Sequence, residues 1–254
     1  MKLKLDNWVI SNWVISNWVI NNWVMKLLYL FLATDLSLML INTICLYTDQ
    51  TSNSALLLET DGGYAEVFQY IKEFWNVLLL VFLATKTRLL VYLSWSLLFL
   101  YLLIDDSVQI HERFGALVSK RFEGLSMLGL RANDFGEILI SVAAGFLLLT
   151  LIAISYRFGD RLSRKVSKCL IIMLCMLAAC GLVLDVLHVA VQVPVLTSFI
   201  GLLEDGGEML VMSVITCFLF SLVEQVHTQT GKGRSSSTMR SDTMRSSTMR
   251  SEEI

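Results

Sequence analysis

The stretch CLIIMLCMLAACGLVLDVLHVAV (residues 169–191) decides the fold. It is apolar over a length sufficient to cross ~30 Å of hydrocarbon as a helix, which takes about 20 residues. Two ionisable residues, Asp185 and His188, stand three apart within it. A charge at mid-membrane costs about 2.5–3.5 kcal/mol, less near the surface, so such residues need partners or a task.

Working outward, five further apolar runs bounded by polar breaks lie at about 25–47, 66–85, 89–109, 136–156 and 204–224. With 169–190 they predict an all-α, polytopic membrane bundle of about six transmembrane helices. Composition agrees: 55% of residues are hydrophobic, mean hydropathy is +0.64, and there is a single Pro. That is too apolar for an ordinary soluble domain, and it argues against a β-rich one.

Lys and Arg set the expected orientation. With the N-terminus inside, the inner segments hold 15 of the 20 basic residues. The outer side is left with Lys72, Arg113, Lys120, Arg121 and Arg131. This bias predicts both termini on the cytoplasmic side. A net charge of −2 gives no reason to expect nucleic acid as a partner; the expected partner is the lipid bilayer. The five cysteines are scattered without a CxxC, which argues against a disulfide framework or a thiolate zinc site.

Both ends are repetitive. The N-terminus reads NWVIS-NWVIS-NWVIN-NWVMK, and the tail carries three STMR units. A period of five suits neither a helix face nor a strand face. Translated tandem DNA repeats explain it, with Met25 as the functional start; a Trp-rich arm resting on the membrane is the alternative. The expected organisation is a tandem-repeat extension over 1–24, a membrane domain over 25–227 and a disordered polar tail over 228–254.

A subtler repeat lies inside. DGGYAE (61–66), DFGE (134–137) and DGGE (205–208) place Glu66, Glu137 and Glu208 71 residues apart, twice over. Three parallel helical hairpins about a pseudo-threefold axis would produce this spacing.

Asp105 lies 17 residues beyond Arg88, and Asp185 lies 17 beyond Lys168. At about 1.5 Å per residue both stand roughly 25 Å above the inner surface. Glu66, Gln69 and Glu73 share one face of the second helix. Asp134 and Glu137 open the fourth, and Glu204, Asp205 and Glu208 open the sixth. Five helices thus bring carboxylate or imidazole groups to one outer layer.

Asp105, Gln109 and Glu112 share a face if the third helix continues; His111 would then point about 120° away from Asp105. Alternatively, the helix unwinds near Ser107. Imidazole with carboxylates suits Zn, Mn or Fe, whereas carboxylates alone favour Mg or Ca. The candidate ligands are Asp105, Asp106, His111, Glu112, Asp185, His188, Glu204 and Glu208. Glu66, Gln69, Glu73, Asp134, Glu137 and Asp205 form a supporting polar layer. Asp185/His188 is similar to the Glu-x-x-His pairs of di-iron bundles, with Asp for Glu and one clear copy only.

Plainer explanations exist for each residue. D-x-x-E at 134–137 and 205–208 has the form of a capping box. Glu66 and Glu73 could simply favour a helix N-terminus. Asp105 and Asp106 could pair with Arg113 or Arg131, and Asp185 with His188 could be an interhelical hydrogen bond. Asp35 receives no role beyond bonding another helix. The joint clustering of these groups is harder to explain plainly than any one of them.

The motifs DDSVQIHE (105–112), RANDFGE (131–137) and LEDGGEML (203–210) resemble those of a family of uncharacterised bacterial multi-pass membrane proteins. The resemblance spans about Asp61 to Leu222. It implies a bacterial plasma-membrane location and brings no activity with it. Three functions remain in view: a divalent-metal site, conceivably of a metal-dependent membrane enzyme; a structural or assembly protein with a hydrogen-bonded polar layer; and a proton or cation transporter. Polar residues thin out below the acidic layer, which favours a pocket open on one side over a through-path.

Overall fold

A computed structural model describes residues 22–48, 54–110, 113–114, 132–183 and 194–251. Among the described residues the chain forms six α-helices and no strand: α1 (Asn22–Tyr47), α2 (Tyr64–Thr87), α3 (Leu90–Val108), α4 (Ala132–Phe158), α5 (Arg161–Ala178) and α6 (Pro194–Ser251). One 3₁₀ turn (Ser54–Leu56) precedes α2, and one π-helical turn (Ala179–Val183) continues α5. The expected helical bundle is the observed architecture.

Local signals account for the helix ends. The α1–α2 connection doubles back at Gly62, whose φ of 70° favours glycine. At Gly63 an added Cβ would lie 2.8 Å from the Thr60 carbonyl oxygen, so only glycine fits. Glu66, in the first turn of α2, accepts from the Gly62 N–H, as a capping glutamate does. Asp160 caps α5 by accepting from Ser163 N at 2.8 Å. The chain's single proline, Pro194, is the first residue of α6, where its missing N–H is harmless.

Five helices are long and apolar enough to cross a membrane: Trp23–Tyr47, Tyr64–Thr87, Leu90–Val108, Leu139–Phe158 and Phe199–Thr228. They are compatible with a multi-pass membrane protein. The span expected at 169–190 is described only to Val183; the described part of α5 opens with the charged RLSRKVSK and does not qualify by itself. The span expected from 204 belongs to a helix that starts at Pro194, and that helix continues to Ser251 across the tail expected to be disordered. Nothing in the tail breaks a helix as proline would, so α6 propagates through it.

Helix α6 packs on α1, α2 and α5, while α3 packs on α2 and α4. The principal core joins α2, α3, α5 and α6 around Trp95, Leu80, Leu83, Met212, Ile215 and Leu219, all without surface exposure. A second cluster binds α1 to α2 and α6, where Phe31 stacks on Trp75 with ring centroids 5.7 Å apart. Outside the core, large apolar residues such as Phe146, Leu147 and Ile154 on α4 are exposed, as on a lipid-facing surface. Helical Ser and Thr hydroxyls such as Thr34, Ser37 and Thr150 return their hydrogen bonds to the preceding turn, which leaves those faces without free donors.

Candidate functional site

Helix α2 carries Glu66, Gln69, Glu73 and Asn76 along one face, with Lys72 beside them. All but Glu66 are buried, although they lie on a helix apolar enough to span a membrane. Each therefore depends on what α1, α3 and α6 present to it.

The outermost level is a pocket of about 210 Å3 between the α1–α2 connection, the start of α2, the end of α3 and α6. Glu59, Asp61, Glu66, Asp106, Asp205 and Glu208 line it, joined by Gln69, Tyr70 and Gln109, with no Lys or Arg in the lining. Gln109 donates to Asp61 Oδ2 at 2.7 Å across the rim. Tyr70 donates to the Asp106 carbonyl oxygen at 3.0 Å. Asn42 Oδ1 accepts from Leu58 N at 3.1 Å and ties the pocket wall to α1.

At the next level Gln69 Nε2 stands 3.5 Å from Glu208 Oε2. Glu73 is only 1% exposed, faces Asp106 and Glu208, and its Oε2 has no hydrogen-bond partner. Three carboxyl groups therefore converge on the pocket floor from α2, α3 and α6.

One level deeper lies an ion pair that the sequence reading missed. Lys72 Nζ donates to Asp35 Oδ1 at 3.0 Å, to the Met209 carbonyl oxygen at 2.9 Å and to Ser213 Oγ at 3.2 Å. Ser213 donates in turn to Asp35 Oδ2 at 2.5 Å. Asp35, Lys72 and Ser213 have no surface exposure, so Lys72 is not the outer-face residue that the charge count made it. The available signal was a lone acid in one apolar helix and a lone base in another, each needing a counter-charge.

The expected site residues separate accordingly. Asp106 and Glu208 meet at the pocket, with Asp205 also in its lining. Asp105 is buried and Glu204 half-buried, and neither lines the pocket. Helix α3 ends at Val108, and Gln109 turns left-handed with φ 54°; its N–H still bonds to the Asp105 carbonyl oxygen. The shared face of Asp105, Gln109 and Glu112 that a continuous helix would give is therefore interrupted. His111, Glu112, Asp185 and His188 lie outside the described residues, as do the side chains of Asp134 and Glu137, whose backbone stands in the first turns of α4.

DGGE at 205–208 is no capping box, because α6 has already begun at Pro194. Its glycines serve close packing. A Cβ on Gly206 would strike the Met39 side chain of α1, and one on Gly207 would lie 2.9 Å from Cys180 Sγ. Gly181, in the π-helical turn, lies directly against Glu208 Oε1. Such turns recur at functional sites, and here one holds a carboxylate in place. Among the described residues, no group of three or more His, Cys, Asp or Glu is arranged to hold a metal ion.

A family model described as a domain of unknown function, DUF8692, matches residues 24–222. The chain belongs to that family. The DUF8692 match contains the acidic pocket and the Lys72–Asp35 pair, and it leaves most of each repetitive end outside. No curated protein and no solved structure matches the chain.

Proposed function

We propose that this DUF8692 protein is a multi-pass protein of a bacterial plasma membrane, with both termini cytoplasmic, whose outer acidic pocket binds a divalent metal ion. The observation that carries this reading is a pocket lined by six carboxylates and no basic side chain, with an unpartnered carboxyl oxygen of Glu73 at its floor. Crowded carboxylates repel one another, and a bound cation relieves the repulsion.

Asp106, Asp205 and Glu208 are the ligands proposed from the pocket, with Asp105 and Glu204 beside them. Asp185 and His188 follow the π-helical turn that touches Glu208, and His111 and Glu112 follow the rim residue Gln109. Imidazole from either pair would direct the site toward Zn, Mn or Fe rather than Mg or Ca. A metal-bound water there could be activated for hydrolysis, which is the route to a metal-dependent membrane enzyme. The expected partner is the lipid bilayer and not nucleic acid. With Lys72 removed from the outer count, the excess of inner Lys and Arg grows.

The test is elemental analysis of the protein purified in detergent without chelators, beside the Asp185→Ala/His188→Ala variant. Stoichiometric metal in the wild type alone supports the proposal; a metal-free wild type refutes it. A structural reading draws on the Lys72 pair, in which all three ammonium protons have acceptors and three helices are locked together.

A further inference from the structure

We infer that the Lys72 ammonium occupies an internal site for an alkali-metal cation, and that such a cation replaces it when Lys72 releases its proton toward the outer pocket. This goes beyond the divalent site, which lies one level nearer the surface.

The argument begins with the donor set. Around Nζ stand one carboxylate oxygen, one main-chain carbonyl oxygen and one hydroxyl oxygen, at 3.0, 2.9 and 3.2 Å. Hard oxygens of these three kinds also coordinate hard metal cations. The Phe68 ring, 4.7 Å from Nζ, adds a face that favours a cation. Lysine is the cationic side chain that deprotonates readily when buried, whereas arginine would be a permanent occupant.

A route for the proton is present. Glu73 is adjacent to Lys72 in the chain, wholly buried, and its Oε2 has no hydrogen-bond partner. It faces Asp106 and Glu208, both of which line the pocket. The titratable groups facing Lys72 are Asp35 from α1, Cys217 from α6 and Glu73 on its own helix. From α3, Asp106 faces Glu73.

In the exchange, Lys72 gives one proton to the Glu73 carboxylate, which passes it to water in the pocket. The cation's single charge then replaces the ammonium's beside Asp35. One proton leaves for each cation that enters, no bond between heavy atoms changes, and no electron moves. The interior keeps the same net charge, so Asp35 is never left as an unpaired buried ion.

The experiment uses the full chain in detergent, stripped of divalent ions with EDTA and held in N-methylglucamine chloride with a pH-indicator dye. NaCl or KCl is added at constant ionic strength. The expected result is saturable release of about one proton per chain. Release is abolished in Asp35→Asn and Lys72→Met, and retained in Asp185→Ala/His188→Ala. The absence of saturable release from monodisperse wild-type protein overturns the inference, and so does release that persists in Asp35→Asn. If those two variants do not fold, Ser213→Ala decides. Loss of one oxygen should raise the half-saturating concentration about threefold, and an unchanged value overturns the inference. Metal content is measured without added alkali ions, so the failure of the divalent proposal and of this one are distinguishable.

Discussion

Lys72 Nζ lies 3.0 Å from Asp35 Oδ1, and both side chains are entirely excluded from the surface. The pair joins α1 to α2, and through Ser213 and the Met209 carbonyl oxygen it also joins both to α6. It anchors the column of polar groups that rises past Glu73 to the acidic pocket.

Breaking that pair from one side strands a buried charge. Lys72→Met and Asp35→Leu should each destabilise the protein by about 3–5 kcal/mol, whereas the double variant should recover much of the loss. Thermal unfolding in detergent reads this directly. Losses that simply add would show that the two residues act independently.

Glu73 is crowded by Asp106 and Glu208 and has one oxygen without a hydrogen-bond partner. Glu73→Gln removes a negative charge from that crowd. In metal-free protein it should stabilise by about 0.5–2 kcal/mol, in the pattern of functional sites that trade stability for binding. A lowered melting temperature would show that Glu73 is instead a structural partner.

The sequence made the bundle legible because its signal is local. Apolar runs between polar breaks locate helices whatever packs against them, and the Gly-Gly turn ahead of Glu66 marks the start of α2. The site was legible in part. Asp106, Glu208 and Gln69 were placed in one outer layer by helix rise alone, and the structure brings them to one pocket. Lys72 was not, because its partner Asp35 is on another helix and no spacing rule connects them. DGGE misled for a different reason. Asp-x-x-Glu is the pattern of a helix start, and the same residues within a helix serve as small packing surfaces for Met39 and Cys180.

Gly181→Ala is expected to separate binding from folding. The added methyl group occupies the position of Glu208 Oε1, so the carboxylate must swing away while its charge is kept. Displacing a ligand's support should weaken divalent binding about 10–100-fold, with a smaller loss of stability than either Lys72 or Asp35 single variant. Equilibrium metal titration against melting temperature checks it. Unchanged affinity would mean that Glu208 is not a ligand.

Away from the pocket, Trp95 Nε1 donates to Ser167 Oγ at 3.1 Å within the core between α3 and α5. Interhelical bonds of this kind average about 0.6 kcal/mol, so Ser167→Ala should be mild. Trp95→Ala empties a fully buried site and should cost about 3–5 kcal/mol. A comparable loss from both would assign that contact an unusual weight, and unfolding measurements distinguish the cases.

The central claim is that the acidic pocket exists to hold a divalent cation, and the most direct test is the metal content of the full-length protein purified in detergent without chelators. The account predicts one equivalent of Zn, Mn or Fe per chain in the wild type, lost in Glu208→Gln and in Asp185→Ala/His188→Ala while both variants remain folded. A folded wild type that carries no metal, and takes up none when Zn, Mn or Fe is supplied, would contradict it.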